Sequence, residues 1–178
     1  HPHVRVEVID SRQTSLCYGW MAIEAARAAL AGKNLDQIVA LVKEMIPKTR
    51  MIVTADTLKY LYMGGRIGKA KHLVGSLLNI KPLIGMEDGE IVPLGTARSR
   101  KKAYCKMAEM IEEKVGRQGR IKIAYVHAAA LEEVQKLRAI IEERLTCVES
   151  IVAELSPALG VHTGPGTAGV CYYPVDAV

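Results

Sequence analysis

Two rhythms of hydrophobic and polar residues alternate along the chain, and the switches between them predict its elements. Val4 to Asp10 (VRVEVID) alternates apolar and charged residues with a period of two and predicts a strand. From Ser15 to Leu30 the apolar positions Leu16, Trp20, Ile23 and Leu30 share a helical stripe, which Gly32 ends. Asn34 is placed to cap a second helix, in which Leu35, Ile38, Val39, Val42, Met45 and Ile46 keep a 3.6-residue rhythm up to Pro47.

Arg50 to Thr54 predicts a short strand, and Leu58 with Leu61 a short helix closed by Gly64-Gly65. Another helix is expected from Ala70 to Leu78. Ile80–Met86 and Glu90–Gly95 predict two strands joined by the tight turn Glu87-Asp88-Gly89. Helices are expected at Arg100 to Val115 and Leu131 to Leu145, with strands at Ile121–Val126, Cys147–Val152 and Val170–Tyr173. Ser156-Pro157 carries a helix-start signal. Strands alternating with helices imply an α/β layered domain. The hairpin makes its sheet mixed, because a tight turn joins only antiparallel strands.

Apolar residues make up 49% of the 178 residues and charged residues 24%, the balance of a folded protein. Phe is absent, so the core is expected to be built from Ile, Leu, Val, Met and Ala. Such a core is compatible with a smooth aliphatic channel or with a plain packed interior. The net charge of +5 is too mild to indicate nucleic acid. Cys17, Cys105, Cys147 and Cys171 are far apart, with no ligand-like spacing, and read as reduced thiols in a cytoplasmic protein. No apolar run reaches the roughly 18 residues of a membrane span. His1 and His3 are read as part of a frayed end, with no metal expected.

Gly164 to Gly169 (GPGTAG) spells the dinucleotide fingerprint GxGxxG, but its context denies the reading. Too little chain follows to supply the acidic ribose partner, and Pro165 has no N–H for a phosphate. What remains is a His just before several glycines, whose backbone suits a shell of N–H donors around an anion. A tight loop around a structural His explains the same letters. Met63 to Gly68 (MGGRIG) sets Arg66 after a Gly-Gly pair, and a guanidinium fork suits a carboxylate or phosphate. The plain reading there is a surface Arg beside a turn.

Arg98, Arg100, Lys101 and Lys102 form the densest basic cluster. With Ser99 as cap, three of these cations occupy the first turn of a helix, where its dipole disfavours positive charge. Such placement against local stability suits docking of an acidic partner or an anionic ligand, though a solvated basic surface fits equally. No nucleophile elbow, HExxH motif or paired-carboxylate arrangement is visible, so there is no positive case for an enzyme.

Thr57 to Ala103 (TLKYLYMGGRIGKAKHLVGSLLNIKPLIGMEDGEIVPLGTARSRKKA) resembles the bacterial DegV family. So do Val8 to Lys33 (VIDSRQTSLCYGWMAIEAARAALAGK) and Gly160 to Gly169 (GVHTGPGTAG). GGRIG, LLNIKPL and HTGPG follow one another in the family's order and spacing. The resemblance implies a two-domain, non-catalytic carrier that holds a long-chain fatty acid, with no other cofactor. It implies presentation of the carboxylate to the catalytic subunit of a fatty acid kinase, which makes an acyl phosphate. Carried over, Arg66 and His162, with Gly164 and Gly166 of the glycine loop, stand at the carboxylate end. Ile67, Leu77, Leu78 and Ile80 match the region of the acyl pocket, and Arg98, Arg100, Lys101 and Lys102 are the expected kinase-docking cluster.

Family members carry an amino-terminal α/β half before the VIDS strand, with hydroxyl residues expected to grip the carboxylate. The resemblance therefore divides this chain into residues 1–48, a remnant of that half with a strand and two helices, and 49–178, the lipid-binding domain. The VRVEVID strand is expected to expose an edge able to pair with a second copy. The alternative from another class is a truncated interaction or dimerisation module without a ligand of its own.

Overall fold

A computed structural model of the chain describes residues 4–76, 80–117 and 119–175. Helix α1 (Leu16–Leu30) leads to α2 (Leu35–Met45), which Asn34 opens with a capping box. Oδ1 of Asn34 accepts from the Gln37 amide at 3.0 Å, and Oε1 of Gln37 accepts from the Asn34 amide at 3.1 Å. Next come β1 (Arg50–Thr54), α3 (Lys59–Met63), a 3₁₀ helix (Gly68–Ser76), β2 (Lys81–Glu87) and β3 (Glu90–Ala97). The chain continues through α4 (Arg100–Val115), β4 (Arg120–Ala128), α5 (Leu131–Glu142), β5 (Thr146–Glu154), α6 (Pro157–Thr163) and β6 (Thr167–Pro174).

The fold is mixed α/β, with one six-stranded sheet in the order β3-β2-β1-β6-β4-β5. Only β4 and β5 run parallel, joined by the α5 crossover; every other pair is antiparallel. β6, last in sequence, lies centrally between β1 and β4 and is buried along Thr167–Tyr173. Asp88 and Gly89 both have positive φ, 49° and 82°, the geometry of a two-residue hairpin whose twist matches its strands.

Helices cover both faces. On one, Tyr104, Met107 and Ile111 of α4 and Leu137 and Ile141 of α5 bury Ile121, Ile123 and Val170. On the other, Cys17, Trp20 and Met21 of α1 cover Met51, Ala124 and Cys171. Trp20 donates its indole N–H to the Cys171 carbonyl at 3.2 Å, and its ring meets that of Tyr173 edge-on. Trp20, Tyr104 and Tyr125 are among the largest fully buried side chains, so the core is less purely aliphatic than composition suggests.

Two elements depart from the pattern reading. Residues 4–10 form no strand: among the described residues they pair with no neighbouring strand, and Val4, Val6 and Val8 are 64%, 75% and 92% exposed. Alternation alone makes no strand where no ladder partner is present; Arg5 instead bridges to Asp36 of α2 at 2.8 Å. The expected α-helix from Ala70 winds as a 3₁₀ helix starting at Gly68. Gly68, at φ 51°, lies so close to the Ile91 backbone that a β-carbon would collide with it, which pins this segment against β3. Lys69, Lys71 and His72 also leave it without a continuous apolar stripe.

Candidate ligand-binding site

Under α3 and α6, the sheet face that carries α1 opens into a pocket of about 360 Å³. Its floor follows the period of two of the strands. Val126, Val53 and Ile84 stand in one row across β4, β1 and β2, with Gly169 of β6 between the first two. Met51 and Met86 lie two residues further along β1 and β2, on the side away from α6. Leu61 of α3, Leu155, Leu159 of α6 and Ile91 of β3 complete an aliphatic lining.

Polar groups gather on the helix side of this pocket. His162 and Thr163, at the end of α6, both line it. Nδ1 of His162 and Oγ1 of Thr163 are buried without a hydrogen-bond partner among the described residues. Buried polar atoms normally find partners, so two orphans on consecutive residues that line one cavity mark a place for a polar ligand group. Arg66 lines the same pocket. It follows the Gly64 turn, where its amide donates to the Leu61 carbonyl and its guanidinium to the Gly64 carbonyl, both at 2.9 Å. Among the described residues no carboxylate pairs with it, which leaves most of its donor fork available.

Thr14 and Ser15 bring two more hydroxyl residues to the lining at the start of α1. Ser15 has φ 53° and ψ −143°, a region that glycine normally occupies, so the backbone there is strained by about 1–3 kcal/mol.

The residues expected from sequence divide between this pocket and elsewhere. Arg66 and His162 come together. Gly164 and Gly166 do not line the pocket, and their amides are engaged within the protein, donating to the Gly160 carbonyl at 2.8 Å and the Ala128 carbonyl at 2.9 Å. The expected shell of glycine-loop N–H donors is therefore not formed. These glycines serve close packing instead: a β-carbon would strike the Tyr60 ring at Gly164 and the Asp56 carboxylate at Gly166. Ile67 is core beside the pocket, Ile80 is half-buried away from it, and Leu77 and Leu78 lie outside the described residues, as do His1 and His3.

The basic cluster also splits. Arg98, Lys101 and Lys102 are exposed, whereas Arg100 is only 18% exposed and turns inward. Its guanidinium pairs with Asp56 at 2.9 Å and donates to the Gly166 carbonyl. Lys81 joins the same carboxylate at 2.6 Å. Burial works against the charge on Asp56, but the hydrogen bonds from Lys81 and Arg100 outweigh it and hold the carboxyl below its usual range. This pairing also explains how a cation is tolerated in the first turn of α4. Ser99 caps that helix as expected, accepting from the Lys102 amide at 3.2 Å.

Missed in the sequence were the sheet-floor residues and Thr163. The strands of Met51, Val53, Ile84 and Met86 are legible, but which face stays open depends on where the helices settle. Thr163 sits inside the very motif that drew attention to His162.

Comparison with known proteins places these features in a family. The model of the DegV family, described as uncharacterised proteins, matches residues 1–175. A DegV domain-containing protein of Clostridium acetobutylicum is 36% identical over 169 residues, covering 95% of this chain and 59% of the relative. A DegV-family protein of Thermus thermophilus, solved in a study of its fatty acid binding, superposes with a TM-score of 0.90 at 31% identity. That match covers 96% of this chain and 61% of the other. A DegV-family protein of Ruminococcus gnavus, refined with vaccenic acid, gives a TM-score of 0.81 at 26% identity, covering 93% and 59%. The chain thus spans about three fifths of the length of these relatives. The chain belongs to the DegV family.

Proposed function

We propose that this chain binds a long-chain fatty acid, with the carboxylate beside Arg66, His162 and Thr163 and the alkyl tail on the sheet floor. The observation that carries this reading is a pair of buried atoms without partners among the described residues, Nδ1 of His162 and Oγ1 of Thr163, on residues that line a mainly apolar pocket with Arg66. A carboxylate leaving water needs such donors, or its desolvation is prohibitive. Each methylene buried against Val53, Ile84 or Met51 returns about 0.8 kcal/mol. The fatty acids bound by the Thermus thermophilus and Ruminococcus gnavus relatives support the same ligand class.

The chain acts as a carrier, not as a catalyst, and offers the carboxylate to a fatty acid kinase for acyl phosphate formation. Arg98, Lys101 and Lys102 are the docking cations of this reading, because they are the exposed members of the basic cluster. Residues 1–48 belong to the domain that precedes the lipid-binding domain of residues 49–178. Among the described residues, no helix is long and apolar enough to cross a membrane.

A second reading, a module that pairs with another copy, draws on the exposed row Val4, Val6 and Val8. Native mass spectrometry with sizing separates the two. The carrier reading expects an added mass in the fatty-acid range on the chain. A chain that takes up no acid when palmitate is offered, and dimerises through residues 4–8, overturns it.

A further inference from the structure

A second cavity, of about 600 Å³, adjoins the apolar pocket. The two share the same walls. The loop before α1 contributes Thr14 and Ser15 to the first and Arg12 and Gln13 to the second. The β2–β3 hairpin contributes Gly89 and Glu90 to the first and Glu87 and Asp88 to the second. Met86 lines both, and Arg12 bridges to Asp88 at 2.9 Å, spanning from the loop to the hairpin.

Their chemistry changes abruptly at Met86. On the α6 side the floor is Val126, Val53 and Ile84. Beyond Met86 the lining is mainly charged, with Asp10, Arg12, Lys43, Arg50, Glu87 and Asp88 beside Ile46 and Pro47. Gln13 lines the same compartment, and its Oε1 is buried without a partner among the described residues. An alkyl chain that passed this boundary would find only Ile46 and Pro47 as further apolar lining and would strip water from ions it cannot replace. The apolar compartment is also small, near the lower end of the roughly 300–1,000 Å³ that ligand pockets span.

Resting on the fatty-acid reading above, we propose that Met86 is the length gauge of the site: the tail ends against its side chain, which selects among acyl lengths. A head group beside His162 directs the tail away from α6, across the Val126–Val53–Ile84 row and onto the next row, where Met51 and Met86 stand. The thioether is unbranched, and Met86 is half-buried, so the stop sits on a strand without anchoring the core. Shortening it lengthens the apolar compartment by the space of about two or three methylenes. The charged compartment then sets the next limit.

The test offers the purified chain an equimolar mixture of myristic, palmitic, stearic and arachidic acids and reads the bound species by native mass spectrometry. Met86→Ala is expected to raise the bound ratio of longer to shorter acids, by about tenfold for a two-carbon difference. Met86→Val, a better strand former, is expected to shift it in the same direction. Arg12→Ala is expected to keep the wild-type ratio, since Arg12 lines only the second cavity, beyond the point where the tail ends. A wild-type ratio in both Met86 variants, with melting temperatures retained, overturns the length gauge while leaving the fatty-acid site standing. So does an Arg12→Ala shift that matches theirs. A wild-type chain that takes no acid from the mixture overturns the fatty-acid reading itself.

Discussion

Nδ1 of His162, whose ring lines the pocket, packs against Gly64 in the space that a β-carbon there would need. This contact ties the GGRIG turn to the HTGPG loop, two motifs almost a hundred residues apart in sequence. It also explains why glycine stands at 64, where φ is an ordinary −78° and no unusual backbone is required. The glycine is there for room.

Gly64→Ala therefore acts on binding more than on folding. The new methyl group meets the end of a side chain that can swing aside, so stability changes by less than about 1 kcal/mol. His162 leaves its position, and one hydrogen bond to a charged group is lost, weakening palmitate binding about tenfold or more. Titration calorimetry beside a thermal melt checks both; unchanged affinity would remove His162 from the site.

Arg66→Ala is expected to leave folding within about 0.5 kcal/mol of wild type, because the side chain is exposed and, among the described residues, holds only the Gly64 carbonyl. Palmitate affinity should fall about tenfold or more. Arg66→Lys restores charge without the planar fork and should recover only part of the loss. Displacement of a fluorescent fatty acid measures the series.

The basic cluster separates into two behaviours under charge reversal. Arg100→Glu sets a second carboxylate against Asp56 in a half-buried site and should cost about 2–3 kcal/mol in denaturant unfolding. Lys101→Glu and Lys102→Glu should cost within about 0.5 kcal/mol and leave lipid uptake intact, while weakening any kinase complex. Equal destabilisation by all three would contradict the inward placement of Arg100.

Acid stability has a defined source on the α1 face. Arg27 holds Glu149 at 2.7 Å, Lys122 adds a contact at 3.2 Å, and the Glu149 carboxyl is lowered to about 2. Its ordinary value is about 4.3. The depressed folded value means that the stabilisation is complete above the ordinary value and is lost as pH falls toward 2. Glu149→Gln should therefore show a smaller drop in melting temperature between those limits than wild type. An identical drop would show that this pair contributes nothing.

Much of this architecture was legible in the residues, and the failures share a cause. α4 was readable to its ends, since Ser99 caps it and Gly116 follows its last residue, Val115. The hairpin at Asp88-Gly89 was equally plain. Local chemistry determined both. Val4 to Asp10 carries a strand's alternation, yet a strand exists only where a neighbour supplies the ladder, and no local pattern encodes that. The central place of β6 was hidden for the same reason. At the site, Arg66 and His162 were visible because unusual residues flank them. The floor was not, because Met51, Val53, Ile84 and Met86 look like any other strand residues until α1, α3 and α6 leave one side of them open. Gly164 and Gly166 misled because glycine permits both anion binding and close packing, and only the positions of Tyr60 and Asp56 decide between them.

The central claim is that guanidinium, imidazole and hydroxyl donors on this pocket recognise a carboxylate. The most direct measurement compares the affinity of palmitic acid with that of its methyl ester, in wild type and in the Arg66→Ala, His162→Ala double variant. Wild type should favour the acid by at least about tenfold, and the double variant should lose that preference while still accepting the ester. Equal affinity for acid and ester in wild type, or a preference that survives in the double variant, would contradict it.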